Sequence, residues 1–195
     1  MSAATPHHVF RYDEYLERER ATGLKHEFLH GQVFAMAGGS PEHARLIAEV
    51  AFLLRGMIDP TRCRVFSSDL KVRVRATGLA TYPDVAVVCG DPASDPEDAN
   101  AITNPTLLVE VLSPSSEAYD RGEKWAHYRR ISSLQAYVLV TQAPERLEVF
   151  ERQPNGDFVH RMATQGEELG LPSLGGALRV DAVYAAALPP VSAQG

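Results

Sequence analysis

Hydrophobic and polar positions along this chain fall into blocks whose period changes from segment to segment. Residues 11–20 read as a short polar helix that docks Tyr12, Tyr15 and Leu16 on one side. Residues 25–36 read as two short strands around a turn at Gly31. The run Gly38-Gly39-Ser40-Pro41-Glu42 then punctuates the chain, with Ser40 as an N-cap, Pro41 at the first helical position and His43 in the first turn. The helix it opens is expected to reach about Arg55, burying Leu46, Ile47, Val50, Leu53 and Leu54 before Gly56 loosens it.

From residue 70 the period becomes two. Leu70, Val72 and Val74 face one way and Lys71, Arg73 and Arg75 the other, the pattern of a half-buried strand. Residues 82–89 and 107–112 are almost continuously apolar, as in strands covered on both faces. Residues 90–105, rich in Gly, Asp, Pro and Asn, read as an exposed connection. Ser113-Pro114-Ser115-Ser116 closes the second apolar strand and leads into a helix reaching about residue 130. Strands at 135–140 and 146–151 follow, and Asn155-Gly156 marks a hairpin before a strand at 157–162. This order predicts an α/β fold, one mixed β-sheet flanked by helices. Residues 1–7 and 188–195 are expected to fray around a single domain spanning 8–187.

Composition changes the picture little. The chain has 195 residues, 45% of them hydrophobic and 23% charged, enough for one substantial core. No apolar run approaches the roughly 20 residues that cross a bilayer, so no membrane association is expected. The first residues lack the features of a secretory signal, and by elimination the expected location is cytoplasmic. Cys63 and Cys89 lie in apolar, strand-like segments and are expected to be small core side chains rather than a disulfide or metal ligands. A net charge of −6 argues against a protein that coats DNA by bulk attraction. Basic residues do gather between Arg55 and Arg75, and Lys71, Arg73 and Arg75 are candidate phosphate contacts, although a solvated sheet face is an equal reading.

Asp84 and Glu110 are the acids that need explaining, because each interrupts an apolar strand and an unpaired buried carboxylate is costly. If their strands are neighbours, both can share a hard divalent ion; the alternative pairs each separately with an arginine or a backbone cap. Downstream, Asp120, Lys124, His127 and Tyr128 line one side of a helix. Asp120 and Lys124 could form a surface ion pair, yet a crossover helix would also bring Lys124 to the mouth of the acid cleft. There a lysine can position water or stabilise charge on a phosphoryl oxygen. Glu27 could add a ligand and His43 could approach the substrate, or each could be a solvent-facing side chain.

This combination resembles the Uma2 family of restriction-endonuclease-like proteins, which have the PD-(D/E)xK nuclease fold. The resemblance spans roughly residues 8–187. It rests on Lys25-His26-Glu27-Phe28-Leu29-His30-Gly31, on Met36 to His43, on Tyr82-Pro83-Asp84-Val85, and on Val109-Glu110-Val111-Leu112-Ser113-Pro114-Ser115. Asp120-Arg121-Gly122-Glu123-Lys124 and Tyr128 complete it. Pro83-Asp84 matches the first nuclease motif and Glu110 the acid of the second, but Leu112 stands where that motif would place its lysine. The resemblance implies that Lys124 takes that role, that Glu27 is an early acidic metal ligand and that His43 is adjacent to the site. Ser113 and Ser115 then shape a turn rather than act as nucleophiles. It further implies hydrolysis of DNA with Mg²⁺ or Mn²⁺, RNA being an open alternative, and a homodimer that addresses two strands. A nucleic-acid-binding or regulatory protein that keeps the fold without the chemistry is the competing expectation.

Overall fold

The computed structural model describes residues 9–36 and 38–186. The ends expected to fray therefore lie outside the described residues. Helix α1 (Tyr12–Thr22) stops where Gly23 turns left-handed at φ 66° and returns its N–H to the Glu19 carbonyl. Strands β1 (His26–Leu29) and β2 (Gln32–Ala35) form a hairpin. Its two loop residues, His30 and Gly31, both have positive φ, as a tight primed turn requires.

Helix α2 (Pro41–Met57) begins as expected, with Ser40 Oγ accepting from the His43 amide at 3.1 Å. It runs through Gly56 rather than loosening there, and it buries Leu46, Val50 and Leu54. Each such side chain contributes on the order of 1.5–3 kcal/mol by leaving water.

Two six-stranded sheets form where one was expected. The first has the order β2, β1, β5 (Leu79–Thr81), β4 (Lys71–Val74), β8 (Asp98–Ile102), β7 (Ser94–Asp95). Its last two strands come from the 90–105 segment expected to be an exposed connection; β8 pairs parallel with β4. The second has the order β12 (Phe158–Thr164), β11 (Arg146–Arg152), β10 (Ala136–Val140), β9 (Leu107–Val111), β6 (Val85–Cys89), β3 (Cys63–Ser67). A ribbon of β13 (Glu168–Leu171) and β14 (Gly176–Arg179) and a short helix, α5 (Val180–Tyr184), complete the chain.

Alternation along the second sheet explains where its acids go. Val85, Val87, Leu107, Val109 and Val111 pack with the Leu46, Val50 and Leu54 face of α2. Ala86, Val88, Leu108 and Leu112 turn the other way and share a core with Val72, Val74 and Leu79 of the first sheet. Glu110 has the parity of Leu108 and Leu112, so it points between the layers rather than to bulk water.

The expectation for the cysteines is corrected: Cys63 and Cys89 are opposed in the β3–β6 ladder and form a disulfide. The apolar setting was read correctly, but the cross-strand register that brings the two together is a long-range property. No helix among the described residues is long and apolar enough to cross a membrane.

Candidate active site

A cleft of about 1200 Å³ opens between the two sheets and the segment after β9, lined among others by Glu27, His43, Asp84, Glu110, Tyr119 and Lys124. Asp84 immediately precedes β6 and Glu110 lies within β9. These strands pair antiparallel with Val85 opposite Val109, so continuing that register by one step sets Asp84 opposite Glu110. The Asp84 carboxylate accepts the Val111 amide through Oδ2 at 2.7 Å. His43 Nε2 approaches the same oxygen at 3.5 Å from the first turn of α2. This hydrogen bond raises the His43 pKa over the opposing effect of burial, and so favours the imidazolium.

The helical segment after β9 consists of α3 (Glu117–Tyr119), a π turn (Asp120–Lys124) and α4 (Trp125–Tyr128). It delivers Lys124 into the cleft, with Nζ 2.7 Å from Glu110 Oε1 and 3.4 Å from Asp120 Oδ1. The Tyr128 hydroxyl donates to Glu110 Oε1 at 2.9 Å. Lys124 and Asp120 are buried, so their contact is not the surface ion pair weighed above. Burial works against the Lys124 charge, but Glu110, Asp120 and Glu27 outweigh it and hold its pKa above the usual lysine range. Burial pushes the Glu110 carboxyl up to about 8; Lys124 opposes that, while Asp84 and Asp120 add to it.

Glu27 reaches the same cleft from β1, but both its oxygens are engaged. Thr81 donates to Oε2 at 2.6 Å and the Tyr119 hydroxyl to Oε1. Neither partner was singled out in the sequence. Tyr119 stands one residue outside the Asp120–Lys124 face, and Thr81 is joined to Glu27 only through sheet pairing. Gln142 also lines the cleft, joining Ser40 at the start of α2 to the Leu112 carbonyl at the end of β9. His127, expected on the same helical side, instead lies beside His30, and burial lowers its pKa.

The proposed phosphate contacts fare differently. Lys71 is buried with its ammonium 2.7 Å from both Glu19 and Asp98. Arg73 stacks on Tyr12, 3.9 Å from the ring centre, and donates to the Gly78 carbonyl. Arg75 is the one of the three with a largely exposed head, its Nε 3.7 Å from Asp95. Lys71 is thus an internal counter-ion and is unavailable to nucleic acid.

Among the described residues, no three His, Cys, Asp or Glu side chains converge as a ready-made metal cage. Asp84 and Glu110 nevertheless suit magnesium, which commonly takes one or two carboxylates and completes its shell with water and substrate oxygens. The acidic lining points the same way: among the described residues the cleft is lined by Glu27, Glu42, Asp84, Glu110, Asp120 and Glu145 against the basic side chains Lys124 and His43.

The profile of the Uma2 family, described as "Putative restriction endonuclease", matches residues 12–182. The chain belongs to the Uma2 family. The uncharacterized protein slr1290 of Synechocystis sp. is 37% identical to it over 183 residues, covering 94% of this chain and 95% of the relative. Another uncharacterized Synechocystis protein, sll1609, is 35% identical over 139 residues, covering 71% and 78%. A solved structure described as a putative nuclease belonging to DUF820, from Anabaena variabilis ATCC 29413, superposes with a TM-score of 0.73. It covers 90% of this chain and 98% of its own at 18% identity, a likeness of fold. The Uma2 chain therefore has the mixed α/β architecture of restriction-endonuclease-like proteins, with its acid-lined cleft between the sheets.

Proposed function

We propose that this chain is a divalent-metal-dependent DNA endonuclease that hydrolyses phosphodiester bonds. The observation that carries the reading is the meeting of Asp84, Glu110 and Lys124 in one cleft from three separate elements. Asp84 and Glu110 would hold Mg²⁺ or Mn²⁺; such an ion, when bound, polarises the phosphate and lowers the pKa of the attacking water. Lys124 donates to a phosphoryl oxygen as charge develops on it. His43, whose pKa Asp84 raises, lies at the wall of the cleft 3.5 Å from that carboxylate. Glu27, which accepts from Thr81 and Tyr119 in the same cleft, is the candidate third acid, and water and substrate would complete the ligand set.

The competing reading is binding without cleavage. The excess of carboxylates around the cleft argues against it, because a phosphate backbone is repelled there unless a cation intervenes. A second copy of the chain would serve the opposite strand of a duplex, and specificity would come from the cleft loops.

End-labelled duplex DNA and a matching RNA, incubated with the protein and Mg²⁺ and resolved on a denaturing gel, test the reading. Metal-dependent internal cuts in the DNA support it. DNA bound equally well with and without chelator, and never cut, transfers support to the binding protein.

A further inference from the structure

Asp120, Lys124 and Tyr128 follow one another at steps of four residues. In an α-helix of 3.6 residues per turn each such step overshoots by about 40°, so the three would fan over about 80°. All three are instead buried. Lys124 contacts both Asp120 and Glu110, and Tyr128 contacts Glu110 as well. The π turn at Asp120–Lys124 is wider than an α turn and absorbs the first overshoot.

Such a turn forfeits regular helical hydrogen bonds and needs support from outside. Two contacts supply it. The buried Tyr137 hydroxyl donates to the Asp120 backbone carbonyl at 3.1 Å. Arg121, the next residue, forks onto Glu148 of β11 through both terminal nitrogens, at 2.9 and 2.8 Å, while its Nε reaches Glu117 at 2.7 Å. Glu148 is 3% exposed and also holds Arg146 at 2.8 Å and His160 at 2.9 Å. A planar, two-pronged contact of this kind fixes orientation as well as distance. Nothing in the proposed chemistry uses Glu148, which is absent from the lining of the cleft.

We propose that Glu148 is a positioning residue: by clamping Arg121 it holds the π turn in the form that aims Lys124 at Glu110. Its effect on rate rests on the nuclease reading above; its effect on the shape of the segment does not. Trp125, the only tryptophan in the chain, follows the π turn directly and reports on it. Its ring stacks on Phe150 and Tyr137, with centres 4.5 and 5.5 Å away.

The test compares wild type, Glu148→Ala and Arg146→Ala, each checked for folding by circular dichroism. DNA cleavage kinetics and Trp125 emission are measured side by side. Arg146→Ala removes another partner of Glu148 on the same strand but leaves the Arg121 clamp in place. Glu148→Ala is expected to lower kcat about a hundredfold, the scale of a misplaced catalytic group. It should leave KM for DNA within about twofold and shift Trp125 emission to the red. Arg146→Ala should change none of these. Unchanged kcat and emission in folded Glu148→Ala, or an equal loss in Arg146→Ala, overturns the proposal. If Glu148→Ala does not fold, Arg121→Lys, which keeps the charge and loses the fork, takes its place with the same expectations. A wild type that never cuts DNA rejects the nuclease reading, and Trp125 emission alone then decides whether the clamp shapes the segment.

Discussion

Lys124 Nζ lies 2.7 Å from Glu110 Oε1, an oxygen that the Tyr128 hydroxyl also reaches at 2.9 Å. One oxygen of the carboxylate is thereby fully engaged, which leaves Oε2 for a ligand in the cleft. Leu112 stands where the second motif would place its lysine, and the fold brings Lys124 to Glu110 from the following helical segment.

That pairing makes stability and activity separable. Removing one partner of a buried ion pair costs up to about 3–5 kcal/mol, and Lys124 is the cation between Glu110 and the buried Asp120. Lys124→Met is therefore expected to lose stability on that scale together with all cleavage. Adding Glu110→Gln should recover much of the stability and none of the activity. Denaturant unfolding and plasmid cleavage of the two single variants and the double variant check this.

The acids differ in what they should do to metal binding. Asp84→Asn and Glu110→Gln are expected to weaken Mn²⁺ binding, as followed by calorimetric titration, by at least about tenfold. Glu27→Gln should change it by less, because each Glu27 oxygen already accepts a hydrogen bond, from Thr81 and from Tyr119. Equal losses in all three would make Glu27 a direct ligand.

Glu148 gives the molecule a defined acid sensitivity. Burial opposes its charge, but hydrogen bonds from Arg121 and His160 and the charges of Arg121 and Arg146 prevail, holding its pKa down at about 2. A carboxyl depressed on folding contributes stability that is full above its ordinary value of 4.5 and is lost as pH falls toward about 2. Unfolding midpoints measured from pH 6 to pH 2, ~4 units in all, should therefore fall less steeply for Glu148→Gln than for wild type in the lower part of the range.

Ser40 ties the start of α2 to the cleft. Its hydroxyl oxygen accepts the His43 amide and its hydroxyl donates to Gln142. Ser40→Ala is expected to cost about 1 kcal/mol in thermal unfolding, the usual value of a lost N-cap. Ser40→Asp, which still accepts the amide, should recover most of it.

Much of this site was legible in the sequence because an acid inside an apolar strand is conspicuous. Asp84 and Glu110 stood out by residue type against their apolar background, Lys124 by its helical spacing from Asp120 and Tyr128 and by the family resemblance, and Ser40-Pro41 by local capping chemistry. What escaped depends on partners far apart in the chain. Strand β8 has the polar composition of a loop and is a strand because β4 and β7 pair with it on its two edges. Lys71 alternates like a surface residue but is enclosed by Glu19 and Asp98, from opposite sides of it in the chain. The disulfide needed the register of β3 on β6, and Tyr119 needed its partner Glu27, 92 residues earlier on β1.

The most direct measurement is nicking of supercoiled plasmid by the purified protein with Mg²⁺ or Mn²⁺, beside a chelated sample and folded Glu110→Gln and Lys124→Ala variants. Open-circular product is expected from wild type with metal and from none of the other samples. Nicking that persists in folded Glu110→Gln or under chelation would contradict it, as would a wild type that binds DNA across salt and pH without ever cutting it.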